Sequence, residues 1–159
     1  PADKLTEALA YLRDAHTPSI IYQEKSNMLI NNLTDERREV LESFGAGYTA
    51  FSPLQQGVLT DKYLNGIPEN SRAANDKHLH RADMTPELVE KLRHLNEIAS
   101  DRGQTLAQMA VAWLLNDPMI TSVIIGPRTM SQLMSLLPAI KNTGFSDSEK
   151  DAITSILNS

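Results

Sequence analysis

The chain has 159 residues, 41% of them apolar, enough for one ordinary domain with a buried core. Its net charge is −5 and no stripe of Lys and Arg stands out, which argues against nucleic-acid binding; the densest basic stretch, Lys77 to Arg81, is balanced by Asp76 and Asp83. Cysteine is absent, so disulfides and thiolate metal sites are excluded, and no apolar run approaches the roughly 18 residues of a membrane span.

The first residue is Pro1 rather than Met, which reads as a start partway through a longer sequence, and no signal-peptide pattern follows, so a cytoplasmic protein is expected. Residues 2 to 15 place Leu5, Ala8, Leu9 and Leu12 at helical spacing, with Pro1 and Asp3 suited to a first turn. After a Thr17-Pro18 break, Ser19 to Gln23 reads as a short strand. Thr34 caps an expected helix over Asp35 to Phe44, with Glu36, Arg37 and Arg38 on its wet face and Gly45 and Gly47 at its end. Gly47 to Phe51 is the next strand. Leu54 to Asp83 is a long irregular stretch, and a loop of that length in a compact domain is usually functional or mobile. Thr85-Pro86-Glu87 starts a helix that runs to about Asp101, and Thr105 caps another over Leu106 to Leu115, in which Met109, Trp113 and Leu114 form a core stripe. Thr121 to Ile125 is the third strand and Thr129 to Ile140 a further helix. Ser146 and Glu149 fit a capping box at the start of a terminal helix.

Alternation of helix and strand implies right-handed βαβ units and a parallel sheet. Three strands without any Gly-x-Gly-x-x-Gly turn do not make a doubly wound fold. They match about three-eighths of a (βα)₈ TIM barrel, whose loops after the late strands often hold phosphate. Two segments carry this reading furthest: Phe51-Ser52-Pro53-Leu54-Gln55-Gln56-Gly57, and Ser122-Val123-Ile124-Ile125-Gly126-Pro127-Arg128-Thr129. In each, a short apolar run gives way to small or turn-forming residues, as when a buried strand delivers a ligand loop to the carboxyl edge of a sheet. Gly126 allows close backbone approach, the helix starting near Thr129 offers free N–H groups and a positive dipole end, and Arg128 adds a fixed charge. The chain reads as the phosphate-holding part of a nucleotide enzyme.

Other reactive residues carry less. His78 and His80 lie two apart without a third ligand at fixed spacing, so no metal site is expected. Tyr22, Tyr48 and Tyr63 pair with no nearby Lys and are read as structural. His16 and His94 are placed on helix surfaces.

These segments carry a resemblance to the C-terminal half of the aldo-keto reductase family, in particular to the branch of L-glyceraldehyde 3-phosphate reductases and potassium-channel β subunits. It covers essentially the whole chain and rests on Phe51-Ser52-Pro53-Leu54, Gly57 to Pro68 with Ser71-Arg72, Leu106 to Leu115, and Ile125 to Thr129 with Gln132-Leu133, in that order. The resemblance implies NADP(H) as cofactor and a small carbonyl substrate. Gln23, at the end of its strand, resembles the amide that holds the nicotinamide carboxamide, and Phe51 the aromatic that stacks on the ring. Taken alone, Phe51 would be a core aromatic at a strand end. Ser52, Pro53, Leu54 and Gln55 resemble the loop that wraps the pyrophosphate, with Gly57 allowing its turn. Lys62 and Arg72 match basic contacts to the cofactor phosphates, and Gly126, Arg128, Thr129 and Gln132 match the segment that binds adenosine and its 2′-phosphate. A guanidinium suits that dianion because it donates two parallel hydrogen bonds, which favours NADP over NAD.

The chain departs from the family in three places. Ser135 and Leu136 stand where an acidic residue and Asn often touch adenine, and Glu24-Lys25-Ser26 replaces Pro and an aromatic. The family's catalytic Asp, Tyr, Lys and His lie in its N-terminal half, so no catalytic residue is expected in this chain and residues 1–159 are expected to be the C-terminal half of one barrel domain. The isolated chain is then expected to be inactive, and to pair with an N-terminal half-barrel or to self-associate through open strand edges. The alternative is a binding module: an inactive half-barrel, or a channel-β-like nucleotide-binding redox sensor.

Overall fold

The computed structural model describes residues 1–75 and 79–159. Asp76, Lys77 and His78 lie outside the described residues, and with them part of the basic stretch and one of the paired histidines. The elements run α1 (Ala2–Asp14), β1 (Ile21–Lys25), α2 (Asp35–Phe44), β2 (Gly47–Phe51), α3 (Arg72–Asn75), α4 (Pro86–Asp101), α5 (Leu106–Leu115), β3 (Ile120–Ile124), α6 (Met130–Leu136) and α7 (Asp147–Asn158). The three strands form one parallel sheet in the order β1-β2-β3.

Capping chemistry sets the helix starts where the sequence expects them. Thr34, Thr85, Thr105, Thr129 and Ser146 each accept a hydrogen bond from a backbone N–H in the first turn. Glu149 completes the capping box with Ser146, and Gln108 completes one with Thr105. Each such cap contributes about 1 kcal/mol to its helix.

The helix α5, apolar except for Gln108, ties the core together. Met109 and Ala110 pack with Leu92, Leu95, Tyr63, Leu59 and Ile153 in the largest cluster, Leu114 joins Leu9, Leu41, Tyr48, Ala50 and Ile120 behind the sheet, and Val111 meets Leu136 and Ala139. Trp113 packs against the first cluster, with its ring edge-on to Phe145 at 5.2 Å. The Met109, Trp113 and Leu114 stripe is therefore core, as its spacing predicts.

Helices cover one face of the sheet. Tyr22, Tyr48, Ala50, Ile120 and Val123 point into the cluster behind it. On the other face Gly47 sits where strands crowd: a Cβ there would run into Thr121 Oγ1 and crowd Ile21.

Several expectations need correction. β1 runs from Ile21 to Lys25 rather than Ser19 to Gln23, because Glu24 is stabilised by the Tyr22 hydroxyl at 2.7 Å and by Arg37 at 3.6 Å, so charge does not end the strand. Arg37 and Arg38 are half-buried rather than wet: Arg37 donates to Asn32 O, and Arg38 makes a two-pronged pair with Asp117 at 2.9 and 2.6 Å. Only Glu36 of those three is exposed. The third strand is Ile120–Ile124, one residue early. The helix expected over Thr129 to Ile140 ends at Leu136 and continues as a tighter 3₁₀ segment, Leu137–Lys141, because Pro138 has no N–H to carry the α-helical ladder on. The stretch from Leu54 to Asp83 holds α3 and three 3₁₀ turns. In α1, Leu9 is buried and Leu5 half-buried, whereas Ala8 and Leu12 face out.

Candidate functional site

The bare face of the sheet aligns side chains in rows. Register places Gln23 beside Thr49 and Thr49 beside Ser122, and in the next row Lys25 beside Phe51 and Phe51 beside Ile124. Two strand spacings make each row roughly 10 Å wide. Gln23 is exposed, and it lies in mid-strand rather than at the strand end; Lys25 is the end. Phe51 is half-buried and belongs to none of the apolar clusters of the described residues.

The loop after β2 is tightly built. Ser52, Gln55 and Gln56 have φ of 56°, 45° and 61°, and Gly57 has φ 93°. Left-handed backbone is costly for residues with a Cβ, so the chain around the loop must hold it there. Hydrogen bonds from Gln55 N to Ser52 O (3.0 Å), Gly57 N to Leu54 O (2.9 Å) and Val58 N to Gln55 O (3.1 Å) close it on itself. Val58 and Leu59, just beyond, are buried and anchor it to the core. Pro53 is buried beneath it. Arg72, on α3, donates Nη1 to Gln56 Oε1, so one of the two expected phosphate cations stands at this loop. Lys62 is exposed at the end of the following 3₁₀ turn, where its N–H bonds Thr60 Oγ1.

The loop after β3 is open by comparison. Gly126, Arg128, Thr129 and Gln132 are all exposed. A Cβ at Gly126 would meet nothing within 4 Å, so the fold itself does not require glycine there and the space beside it is free. Gln132 is partly committed: its Oε1 accepts from Arg128 N at 2.8 Å, and its own N–H bonds Thr129 Oγ1 at 3.2 Å. Its side-chain NH₂ remains available. The Arg128 side chain has no carboxylate partner among the described residues.

Three tyrosines are removed from consideration. Tyr22 and Tyr48 face the helices, and burial pushes both hydroxyls above their usual range, with Glu24 adding to the effect at Tyr22. Tyr48 bonds Ser26 at 2.6 Å, and Tyr63 is 1% exposed in the main core. His94 is exposed on α4, and His16 lies just past α1 with φ 57°. Among the described residues no three His, Asp or Glu side chains gather as a metal site. No described helix is long and apolar enough to cross a membrane.

The structure thus brings together Gln23, Phe51, the loop from Ser52 to Gly57, and Arg72, while Gly126, Arg128, Thr129 and Gln132 stand at the neighbouring strand end. A half-buried aromatic, a tightly closed loop and exposed cations stand at the carboxyl ends of β2 and β3. Sequence reasoning did not single out Lys25, Thr49 and Ser122, which share rows with the expected residues; period-two counting from Phe51 reaches Thr49, whereas Lys25 and Ser122 need the cross-strand register. It also missed Asn27, whose amide reaches the β2 loop and is 3% exposed.

The aldo/keto reductase family model matches residues 1–158. The chain is 40% identical over 154 residues to the L-glyceraldehyde 3-phosphate reductase of Escherichia coli (strain K12), covering 92% of the chain and 44% of that protein. It is 34% identical to a probable voltage-gated potassium channel subunit beta of Oryza sativa subsp. japonica (87% of the chain, 44% of the relative) and 37% identical to one of Arabidopsis thaliana (76% and 38%). The chain therefore spans less than half the length of these curated relatives, and its three parallel βα units correspond to part of a (βα)₈ barrel.

Proposed function

The chain belongs to the aldo/keto reductase family, and from that premise we propose that it is the NADP(H)-binding portion of an oxidoreductase that reduces aldehydes or ketones to alcohols. The cofactor, when bound, supplies hydride from its nicotinamide ring. Phe51 stacks on that ring, and Gln23 holds the carboxamide with an amide that both donates and accepts. Ser52, Pro53, Leu54, Gln55 and Gly57 wrap the pyrophosphate, with Lys62 and Arg72 contacting its phosphates. Gly126, Arg128, Thr129 and Gln132 take the adenosine and its 2′-phosphate.

One observation carries this reading. At the carboxyl edge, an aromatic outside the core stands beside a loop forced into left-handed backbone, and the exposed Lys62 and Arg128 have no carboxylate partner among the described residues. Leu54 and Pro53 tie the loop to the core, but its left-handed residues and the unpaired charges face outward, and an anionic dinucleotide accounts for both. A cytoplasmic location fits this use.

Residues 1–159 would then be one half of a barrel domain. The outer edges of β1 and β3 are unpaired within the described sheet, and Ile21 and Ile124 are 42% and 44% exposed beside them. We expect these edges to pair with the complementary half-barrel, or failing that with another copy. Sedimentation at low micromolar concentration checks this, and a sharp compact monomer of 17.6 kDa that unfolds cooperatively would sink it. With no catalytic tetrad of its own, the isolated chain should not turn over carbonyls. A second reading, a binding module without turnover, is kept open by the similarity to potassium-channel β subunits.

The decisive test is titration of the intact protein with NADPH and NADH, following nicotinamide fluorescence. Arg128→Ala should weaken NADPH by roughly 1.5–3 kcal/mol, the range for a charge-assisted hydrogen bond, and NADH much less. Equal losses would show that Arg128 does not meet a 2′-phosphate.

A further inference from the structure

We propose that Asn27 is a positioning residue that holds the loop from Ser52 to Gly57 in the shape that meets the cofactor pyrophosphate; this rests on the cofactor reading above. Asn27 is 3% exposed, in the turn that follows β1. Its backbone is pinned by paired hydrogen bonds with Ile30, at 2.9 and 3.0 Å. Its side chain then reaches out of that turn. Nδ2 donates to Ser52 O and to Gln55 Oε1, each at 3.1 Å, and Oδ1 accepts from Leu29 N at 3.0 Å. The orientation of the amide is fixed by its neighbours: Leu29 N can only donate and Ser52 O can only accept. Both amide hydrogens are therefore committed to the loop after the next strand.

What they hold is informative. Three non-glycine residues of that loop are left-handed, namely Ser52, Gln55 and Gln56. Asn27 bonds the first two, and Arg72 bonds the third. Ser52 O also accepts from Gln55 N at 3.0 Å, so the carbonyl that closes the turn is the one Asn27 saturates. Backbone of this kind persists only where the surroundings over-determine it. Beside it, Ser26 N bonds Phe51 O at 3.2 Å, so the turn after β1 also fixes the end of β2 that carries the aromatic. A buried amide used this way does little for the apolar core and much for the shape of one loop. A preorganised loop binds more tightly because its ordering is complete before the ligand arrives.

Asn27→Asp tests this. The carboxylate keeps the acceptor for Leu29 N, nearly preserves volume, and loses the donor to Ser52 O. In the intact protein we expect hydrogen exchange at the Gln55, Gly57 and Val58 amides to become at least tenfold faster while amides of α4 and α5 stay unchanged. NADPH affinity should fall at least tenfold. Affinity for adenosine 2′,5′-bisphosphate, which lacks the pyrophosphate, should stay within twofold. Unchanged loop exchange, NADPH binding that survives the substitution, or equal weakening of both nucleotides would overturn the role of Asn27. If Asn27→Asp fails to fold, Asn27→Ser, which keeps a short hydroxyl, is read by the same criteria. A wild-type protein that binds no NADPH sinks the cofactor reading and this one together, whereas NADPH binding indifferent to Asn27 sinks only this one.

Discussion

Where α7 packs on α4, Arg102 is only 4% exposed in its side chain and four of its five donors are taken. Nε donates to Gln104, Nη1 to Glu149 at 2.6 Å, and Nη2 to the carbonyls of Asn142 and Gly144, while the guanidinium lies 3.7 Å over the Phe145 ring. At the carboxyl edge, Lys62 and Arg128 are exposed and meet no carboxylate among the described residues. The first region uses a cation to close the fold, and the second leaves its cations exposed. Charge type alone does not separate the two: what matters is how many of the donors are already satisfied. A guanidinium with a carboxylate, a side-chain amide, two carbonyls and a ring around it has four of its five donors occupied and little left to offer a phosphate.

The largest effect should come from removing the buried cation. Arg102→Ala removes the cation paired with Glu149, takes the donor from the Gly144 carbonyl and uncovers the Phe145 ring, while Glu149 keeps the Ser146 N–H and the Asn142 carbonyl keeps the Gln104 amide. Breaking a fully buried pair costs roughly 3–5 kcal/mol, and because the Glu149 side chain is 29% exposed we expect about 2–3 kcal/mol here. Urea unfolding of the intact protein measures it. A loss under about 1 kcal/mol would mean that Arg102 is no more structural than an exposed ion pair.

An intermediate effect is expected at Asp117, which receives Arg38. The Arg38 hydrogen bonds hold its carboxyl below the usual carboxylate range, against the opposing effect of its own burial. Because the folded value is depressed, the pair contributes stability above the unfolded aspartate pKa of about 3.9, and that contribution is lost as pH falls below it through the folded value. Asp117→Asn keeps an oxygen for Met119 N but removes the charge and the second acceptor that receives Arg38 Nη2. It should cost about 1–2 kcal/mol at neutral pH and progressively less below pH 4. A penalty that does not shrink in acid would show that the contact does not depend on ionised Asp117.

Local signals were the legible part of this protein. The caps at Thr34, Thr85, Thr105 and Ser146, the strand Gly47–Phe51 and the helix Leu106–Leu115 follow from residues within a few positions of each other. The loop residues from Ser52 to Gly57 were legible as a motif. What was not legible depends on partners far off in sequence. Arg38 looked solvated because Asp117 lies on another unit, Gln23 looked like a strand end because Glu24 is stabilised by Arg37, and Asn27 looked like an ordinary turn residue because its partners stand beyond α2. The bare face of the sheet was legible only in part, since Lys25, Thr49 and Ser122 become site candidates once the parallel register aligns them with Phe51 and Gln23.

The smallest effect on stability should be at Lys62, and there it separates the two regions most sharply. Its side chain is exposed, with Nζ 6.0 Å from the Tyr63 ring centroid, at the outer limit of a cation–π contact. Lys62→Ala should therefore change unfolding free energy by no more than about 0.5 kcal/mol, as for most surface substitutions. If Lys62 instead serves a phosphate, the variant should bind NADPH more weakly at low salt, and the difference from wild type should narrow as ionic strength rises, because an exposed charge is screened over about 10 Å at 0.1 M. Arg102→Ala should behave the opposite way, with a large stability loss that salt barely alters. Unfolding curves and NADPH titrations at two salt concentrations give all four numbers. A Lys62 variant that is destabilised by more than 1 kcal/mol, or whose NADPH affinity matches wild type at low salt, would place Lys62 with Arg102 among the cations that hold the fold, and the division between the two regions would fail.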